Sequence, residues 1–200
     1  MSDCGCSVEI KDQSQKQVLY WLLGINGLMF LVEIVVGIMA DSTALIADSM
    51  DMLADAIVYV IGLYAVGRAV SKKAKAAQLS GYFQATLGSL ILLDIIRRIF
   101  TGSEPVSILM MGMGSVALVA NVVCLFLIQK HKEGDVHMRA SWIFSANDVI
   151  ANAGVILGGF LVMWWQTRWP DIVIGVIISV LILRGARMIL KDATTELETF

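Results

Sequence analysis

The sequence predicts an all-α membrane protein, a bundle of six transmembrane helices with both termini in the cytoplasm. Three observations carry that prediction. Of 200 residues, 58% are hydrophobic and 16% are charged, against about 25% charged in soluble domains, and the mean hydropathy is +0.77. The apolar residues gather into six segments, each long enough to cross a ~30 Å hydrocarbon core, which takes about 20 helical residues. Finally, lysine and arginine are strongly biased to one side of those segments.

The segments are 18–40, 43–70, 78–100, 106–129, 139–165 and 171–190. Residues 1–17 then form a cytoplasmic tail, 18–190 a transmembrane domain, and 191–200 a short cytoplasmic tail. No Pro/Gly/Ser-rich linker or low-complexity tract interrupts them. The polar start and the length of the first apolar run exclude a cleaved secretory signal. Lys11 and Lys16 precede the first segment. Arg68, Lys72, Lys73 and Lys75 lie in the second connection, Lys130, Lys132 and Arg139 in the fourth, and Arg184, Arg187 and Lys191 at the far end. Only Arg97, Arg98 and Arg168 lie on the opposite side. The positive-inside rule assigns the richer side to the cytoplasm. Cys4 and Cys6 are then reduced and too closely spaced for a structural disulfide. With Cys124 they make no disulfide framework. The net charge of −2 offers no basic surface for nucleic acid.

In the first segment Asn26 and Glu33 stand seven residues apart, nearly on one face. Glu33 is either a cavity-lining acid or a partner in a helix–helix hydrogen bond. The second segment is the most informative. It carries Asp48, Asp51 and Asp55, which spacings of three and four place within roughly a 60° arc. An aspartate at the bilayer centre costs roughly 2.5–3.5 kcal/mol, so three cost about 8–10 kcal/mol unless they meet water or a cation. No lysine or arginine lies between Lys16 and Arg68 to neutralise them. A divalent metal ion is the economical partner, which points to a transporter or channel.

In the third segment Asp94 precedes Arg97 and Arg98 by three and four residues, the favourable order for a local ion pair. Asn121, in the fourth, is expected to bridge helices. His131 and His137, with Glu133 and Asp135, read as a solvated polar loop with weak metal affinity at most. The fifth segment brings Asn147, Asp148 and Asn152, the last two as i, i+4 neighbours. Its Gly154-xxx-Gly158 spacing permits close helix approach. Trp164, Trp165 and Trp169 read as an interfacial aromatic belt. An oxygen-rich site between the second and fifth segments follows, with Asp51, Asp55 and Asp148 as ligands. Asp48 is either a further ligand or a group on a proton path. No nucleophile constellation or phosphate loop suggests an enzyme.

At these residues the chain resembles the cation diffusion facilitator family of metal–proton antiporters, over essentially its whole length. Ser42-Thr-Ala-Leu-Ile-Ala-Asp48-Ser-Met-Asp51-Met-Leu-Ala-Asp55 is similar to the family's second-helix signature. Met138-Arg-Ala-Ser-Trp and Asp148 followed by Gly154-Val resemble its fifth helix, and Trp169-Pro-Asp171 its sixth. The resemblance implies a tetrahedral site with two ligands from the second helix and two from the fifth. Asp51 and Asp55 match the first pair and Asp148 the later member of the second. The earlier member is usually histidine; here it is Phe144, which binds no metal. Asn152 and Asn147 are the available substitutes, and helical phase favours Asn152, one turn beyond Asp148.

The resemblance further implies export of a divalent cation as substrate, with no resident cofactor, in exchange for protons. It implies a homodimer through transmembrane helices, and the expected location is the inner (plasma) membrane of a bacterium. Zn²⁺ is the first expectation, with Co²⁺, Cd²⁺, Mn²⁺ and Fe²⁺ as others. A site without imidazole or thiolate is harder than usual and moves preference toward Mn²⁺, Mg²⁺ or Co²⁺. Family members usually continue into a cytoplasmic metal-binding and dimerising domain. With the chain ending at Phe200, such a domain is expected to be absent. The competing expectation is a membrane metal-binding, sensing or accessory protein of the same fold.

Overall fold

A computed structural model describes the backbone of residues 4–65, 70–130 and 136–198. His131 lies outside the described residues, as do the side chains of Cys4, Cys6, His137 and Phe144. Six helices follow in order, α1 (Cys4–Met39), α2 (Thr43–Ala65), α3 (Val70–Thr101), α4 (Ser107–Gln129), α5 (Val136–Trp165) and α6 (Trp169–Glu198), and the described residues contain no strand. Five of the six are long and apolar enough to cross a membrane. The exception is α2, whose 23 residues span about 35 Å but carry the three aspartates.

The helices outrun the apolar segments. α1 begins at Cys4 and α6 ends at Glu198, so the polar stretches on either side of the apolar core are largely helical. Lys, Gln, Glu and Arg are good helix formers, and backbone hydrogen bonding continues past the point where hydropathy ends. Both prolines stand at helix starts, Pro105 before α4 and Pro170 in the first turn of α6, where a missing N–H costs nothing.

α2 is the central element and packs against all five other helices. Around it, α1 pairs with α4, α4 with α5, α5 with α6 and α6 with α3. The main core joins Leu45, Met52, Ile91, Ile95, Met110, Val155, Ile178 and Ile182 across these helices. A smaller one packs Leu19, Leu22, Tyr59, Cys124 and Ile128. The α3–α6 pair is especially close: a Cβ on Gly88 would fall 2.9 Å from Leu183, and one on Gly81 2.6 Å from Leu190. In α5, Gly158 has Ile174 at 3.1 Å and Gly159 has Met110 at 3.0 Å, whereas Gly154 meets Ile174 only at 3.8 Å. The close approach therefore falls on the second glycine of the expected pair and its neighbour.

One end of the bundle is tied shut by its three short connections. Each turns through a positive φ: Asp41 at 46°, Gly102 at 90° and Gln166 at 50°. Val106 N–H donates to Ala40 C=O at 2.8 Å. The Asp94 ion pairs form as the spacing predicts, to Arg97 at 2.6 Å and Arg98 at 2.7 Å. Arg98 also reaches across to the Asp41 carboxylate at 2.6 Å and its carbonyl at 2.9 Å. Arg168 donates to Ile99 C=O at 3.2 Å. Trp164, Trp165 and Trp169 are exposed at this end, as an interfacial belt requires.

Candidate functional site

The N-terminus of α2 is positioned by α6. Asp171, fully buried, accepts from Ser42 Oγ at 2.6 Å, Thr43 N–H at 2.7 Å and Ala44 N–H at 3.0 Å. Ser42 Oγ in turn accepts from Leu45 N–H at 3.1 Å. The first amides of α2, which have no partner within their own helix, are thus satisfied by a side chain of its neighbour. Gly175 lets this contact form, since a Cβ there would lie 2.8 Å from Thr43 Cγ2. Asp51 and Asp55 follow one and two turns beyond Asp48, about 12 and 18 Å along a 35 Å helix, which is mid-bundle depth.

There they open onto a cavity of about 250 Å³ lined by Asp51, Asp55, Gln84, Asn147, Asp148, Leu181, Arg184, Gly185 and Met188. Such a volume holds several waters. Four helices contribute: α2, α3, α5 and α6. Asp55 is buried and Asp148 nearly so, while Asn147, Arg184 and Met188 are exposed at the rim. The Asp55 carboxylate lies within hydrogen-bonding reach of Asp148. Tyr59, one turn beyond Asp55, donates to Asp55 Oδ2 at 3.0 Å and lies 3.4 Å from Ser145 Oγ on α5. It thereby orients the acid and ties α2 to α5. Among the described residues no three His, Cys, Asp or Glu side chains converge tightly enough to enclose an ion. Coordination at ~2.0–2.2 Å requires the side chains to swing inward.

The predicted residues are not all placed alike. Asp51, Asp55, Asp148 and Asn147 share the cavity. Asn152 is fully buried off its lining, with Nδ2 donating to Asp148 C=O at 2.9 Å and Oδ1 without a donor. Asp48 is buried at the α1 edge of that arc, where its carboxylate meets that of Glu33 on α1. Neither Glu33 oxygen has a hydrogen-bond donor. Asn26 donates to Leu22 C=O at 3.0 Å and to Cys124 Sγ at 3.7 Å, bridging α1 and α4, while the buried Asn121 Nδ2 finds no acceptor.

Gln84 and Arg184 were not singled out by sequence reasoning. Gln84 carries a signal: it is an uncharged polar residue in an apolar run, one turn beyond Ser80. Arg184 carries none, because in sequence it is one of the basic residues expected where the last apolar segment nears the cytoplasm.

The orienting role of Tyr59 is testable. Tyr59→Phe should fold normally and bind a divalent ion roughly tenfold more weakly, since a hydrogen bond to a charged acceptor contributes about 1.5–3 kcal/mol. Calorimetric titration of the variant checks this, and an unchanged affinity means that Asp55 is held without Tyr59.

A cavity lined by carboxylates at the junction of four helices, in a bundle with five membrane-length apolar helices, defines an integral membrane protein with a buried acidic site. The chain matches the cation efflux transmembrane domain over residues 19–197, and it belongs to the cation efflux family, the cation diffusion facilitators. It is 26% identical over 200 residues to the zinc transporter ZitB of Escherichia coli, covering 94% of this chain and 64% of that protein. It is 26% identical over 195 residues to the cadmium, cobalt and zinc/H(+)-K(+) antiporter of Bacillus subtilis, covering 90% and 62%. With the metal cation efflux system protein CzcD of Cupriavidus metallidurans it shares 25% over 185 residues, covering 86% and 58%. The chain spans about 64% of the length of the first of these relatives. Its apolar helices and bacterial relatives make it an integral protein of the inner membrane.

Proposed function

We propose that the protein is a secondary transporter that exports a divalent metal cation from the cytoplasm in exchange for protons. The observation that carries this reading is the cavity shared by Asp51, Asp55 and Asp148. Three acids at mid-membrane depth, with Arg184 the one cationic neighbour on the lining among the described residues, attract a dication. The cavity extends along α6 to Met188, toward the end where α2 finishes and α3 begins, while the opposite end is closed by Asp171 and Arg98. With both termini cytoplasmic, as the lysine and arginine bias indicates, the closed end is the external one and the conformation faces inward.

In this reading Asp51, Asp55 and Asp148 are the anionic ligands. The α5 amide is Asn147 on the lining, or Asn152 if α5 turns slightly. Rocking of helix groups about the site exposes it alternately. Protonation of the carboxylates on the outer side releases the ion, and the acids titrate as a set. The names of the relatives favour zinc, with cadmium and cobalt beside it, while an oxygen-only site leans toward harder ions. The assembly is a homodimer through transmembrane helices.

The test is flux in proteoliposomes across Zn²⁺, Cd²⁺, Co²⁺, Fe²⁺ and Mn²⁺, with internal pH recorded. Counter-directed ion and proton movement is the expected outcome. Stoichiometric binding with no flux of any ion would instead establish the sensing or accessory reading.

Arg184 provides a second check. A unit charge facing a dication across about 10 Å of water opposes it by about 0.8 kcal/mol. Arg184→Gln should therefore raise divalent affinity about fourfold, with the effect shrinking at high salt. Calorimetry at two ionic strengths measures it, and weaker binding in the variant would place Arg184 among the groups that hold the site together.

A further inference from the structure

We infer that Gln84 is a ligand of the transported cation, supplying a neutral oxygen from α3 in addition to the donors of α2 and α5. The inference rests on the reading of the cavity as the ion site. Gln84 is 3% exposed, and it lines the cavity with Asp51, Asp55 and Asp148. Its Oε1 is fully buried and meets no donor. Leaving a buried amide oxygen unsatisfied costs roughly 1–3 kcal/mol, and such atoms in a folded protein call for a specific explanation. The polar groups around it are mostly acceptors: three carboxylates and the carbonyl half of Asn147. A cation satisfies Gln84 Oε1 and these carboxylates together, which the single guanidinium of Arg184 at the rim does not.

Two further features fit. Gln84 and Asn147 are the two amides on the lining, and either carbonyl oxygen completes a four-ligand sphere with Asp51, Asp55 and Asp148. In addition, Ser80, one turn earlier on α3, has a buried Oγ that also lacks a partner. The two orphaned oxygens follow one another along α3, Ser80 one turn closer to its N-terminus than Gln84. The consequence is mechanical. Since α3 is locked to α6 through Gly81 and Gly88, a ligand on α3 makes the position of the α3–α6 pair relative to α2 and α5 depend on ion occupancy.

The experiment uses the purified full chain in detergent micelles, with Co²⁺ as the probe, comparing wild type, Gln84→Leu, Gln84→His and Asp51→Asn. Gln84→Leu should weaken Co²⁺ binding about tenfold. Gln84→His should place a nitrogen on the ion, changing the position and intensity of the Co²⁺ visible bands and raising the Zn²⁺ to Mn²⁺ affinity ratio at least tenfold. A purely structural role for Gln84 leaves the spectrum unmoved, so an unchanged spectrum and ion ratio in Gln84→His overturns the inference even if Gln84→Leu binds weakly. If Gln84→Leu does not fold, the histidine variant decides alone. Loss of binding in Asp51→Asn together with a wild-type spectrum in Gln84→His refutes the ligand and leaves the site standing. Wild-type binding in Asp51→Asn refutes the site itself.

Discussion

Asp51→Asn and Asp55→Asn are each expected to abolish metal transport while leaving the protein inserted and folded. Asparagine keeps the shape and removes the charge. The site then offers a dication two carboxylates instead of three, in a medium where each charge interaction is far stronger than in water. Asp55→Asn has the additional effect of weakening the acceptor of the Tyr59 hydroxyl. Stability should not fall, since removing a buried negative charge relieves its desolvation cost. Flux in proteoliposomes, with yield and monodispersity as the folding control, checks both variants. Wild-type flux in the pair of them would remove the α2 acids from the ion path.

Asp171→Ala should produce the largest loss of stability. Its carboxylate accepts from one hydroxyl and two backbone amides at the start of α2, and alanine strands the two amides in a dry interior. At about 1–3 kcal/mol for each orphaned group, the loss is about 2–6 kcal/mol, a large fraction of a typical folding free energy. Asp171→Asn retains one carbonyl acceptor and should lose less. Thermal unfolding in detergent ranks the three proteins. Equal melting temperatures for wild type and Asp171→Ala would mean that water replaces the carboxylate and that α2 is anchored elsewhere.

The two sets of residues were legible to different degrees. Asp51, Asp55 and Asp148 stand out in sequence because a charge within an apolar helix is costly and demands a reason. The Asp94 pair with Arg97 and Arg98 was legible because partners three and four residues away are fixed by the helix itself. Asp48 could not be separated from Asp51 and Asp55, since all three share one helical arc. What divides them is one turn of depth and the identity of the neighbour: α1 with Glu33 on one side, α3, α5 and α6 with the cavity on the other. Asn152 and Asn147 show the same difficulty. Helical phase favours Asn152, but its amide is turned back to the Asp148 carbonyl, while Asn147 is the one on the cavity lining.

By itself the sequence determined six helical segments, their apolar character and the acids whose burial demands a compensating partner, because hydropathy and charge cost act on each residue singly. Tertiary structure alone decided which helices surround α2. It decided that Asp171 closes the N-terminus of α2 across more than a hundred residues of chain, and that Gln84 and Arg184 join the acids in one cavity. Those outcomes depend on packing between distant helices: a glutamine in an apolar run signals that it needs a partner, but which partner it meets is decided only when the helices come together.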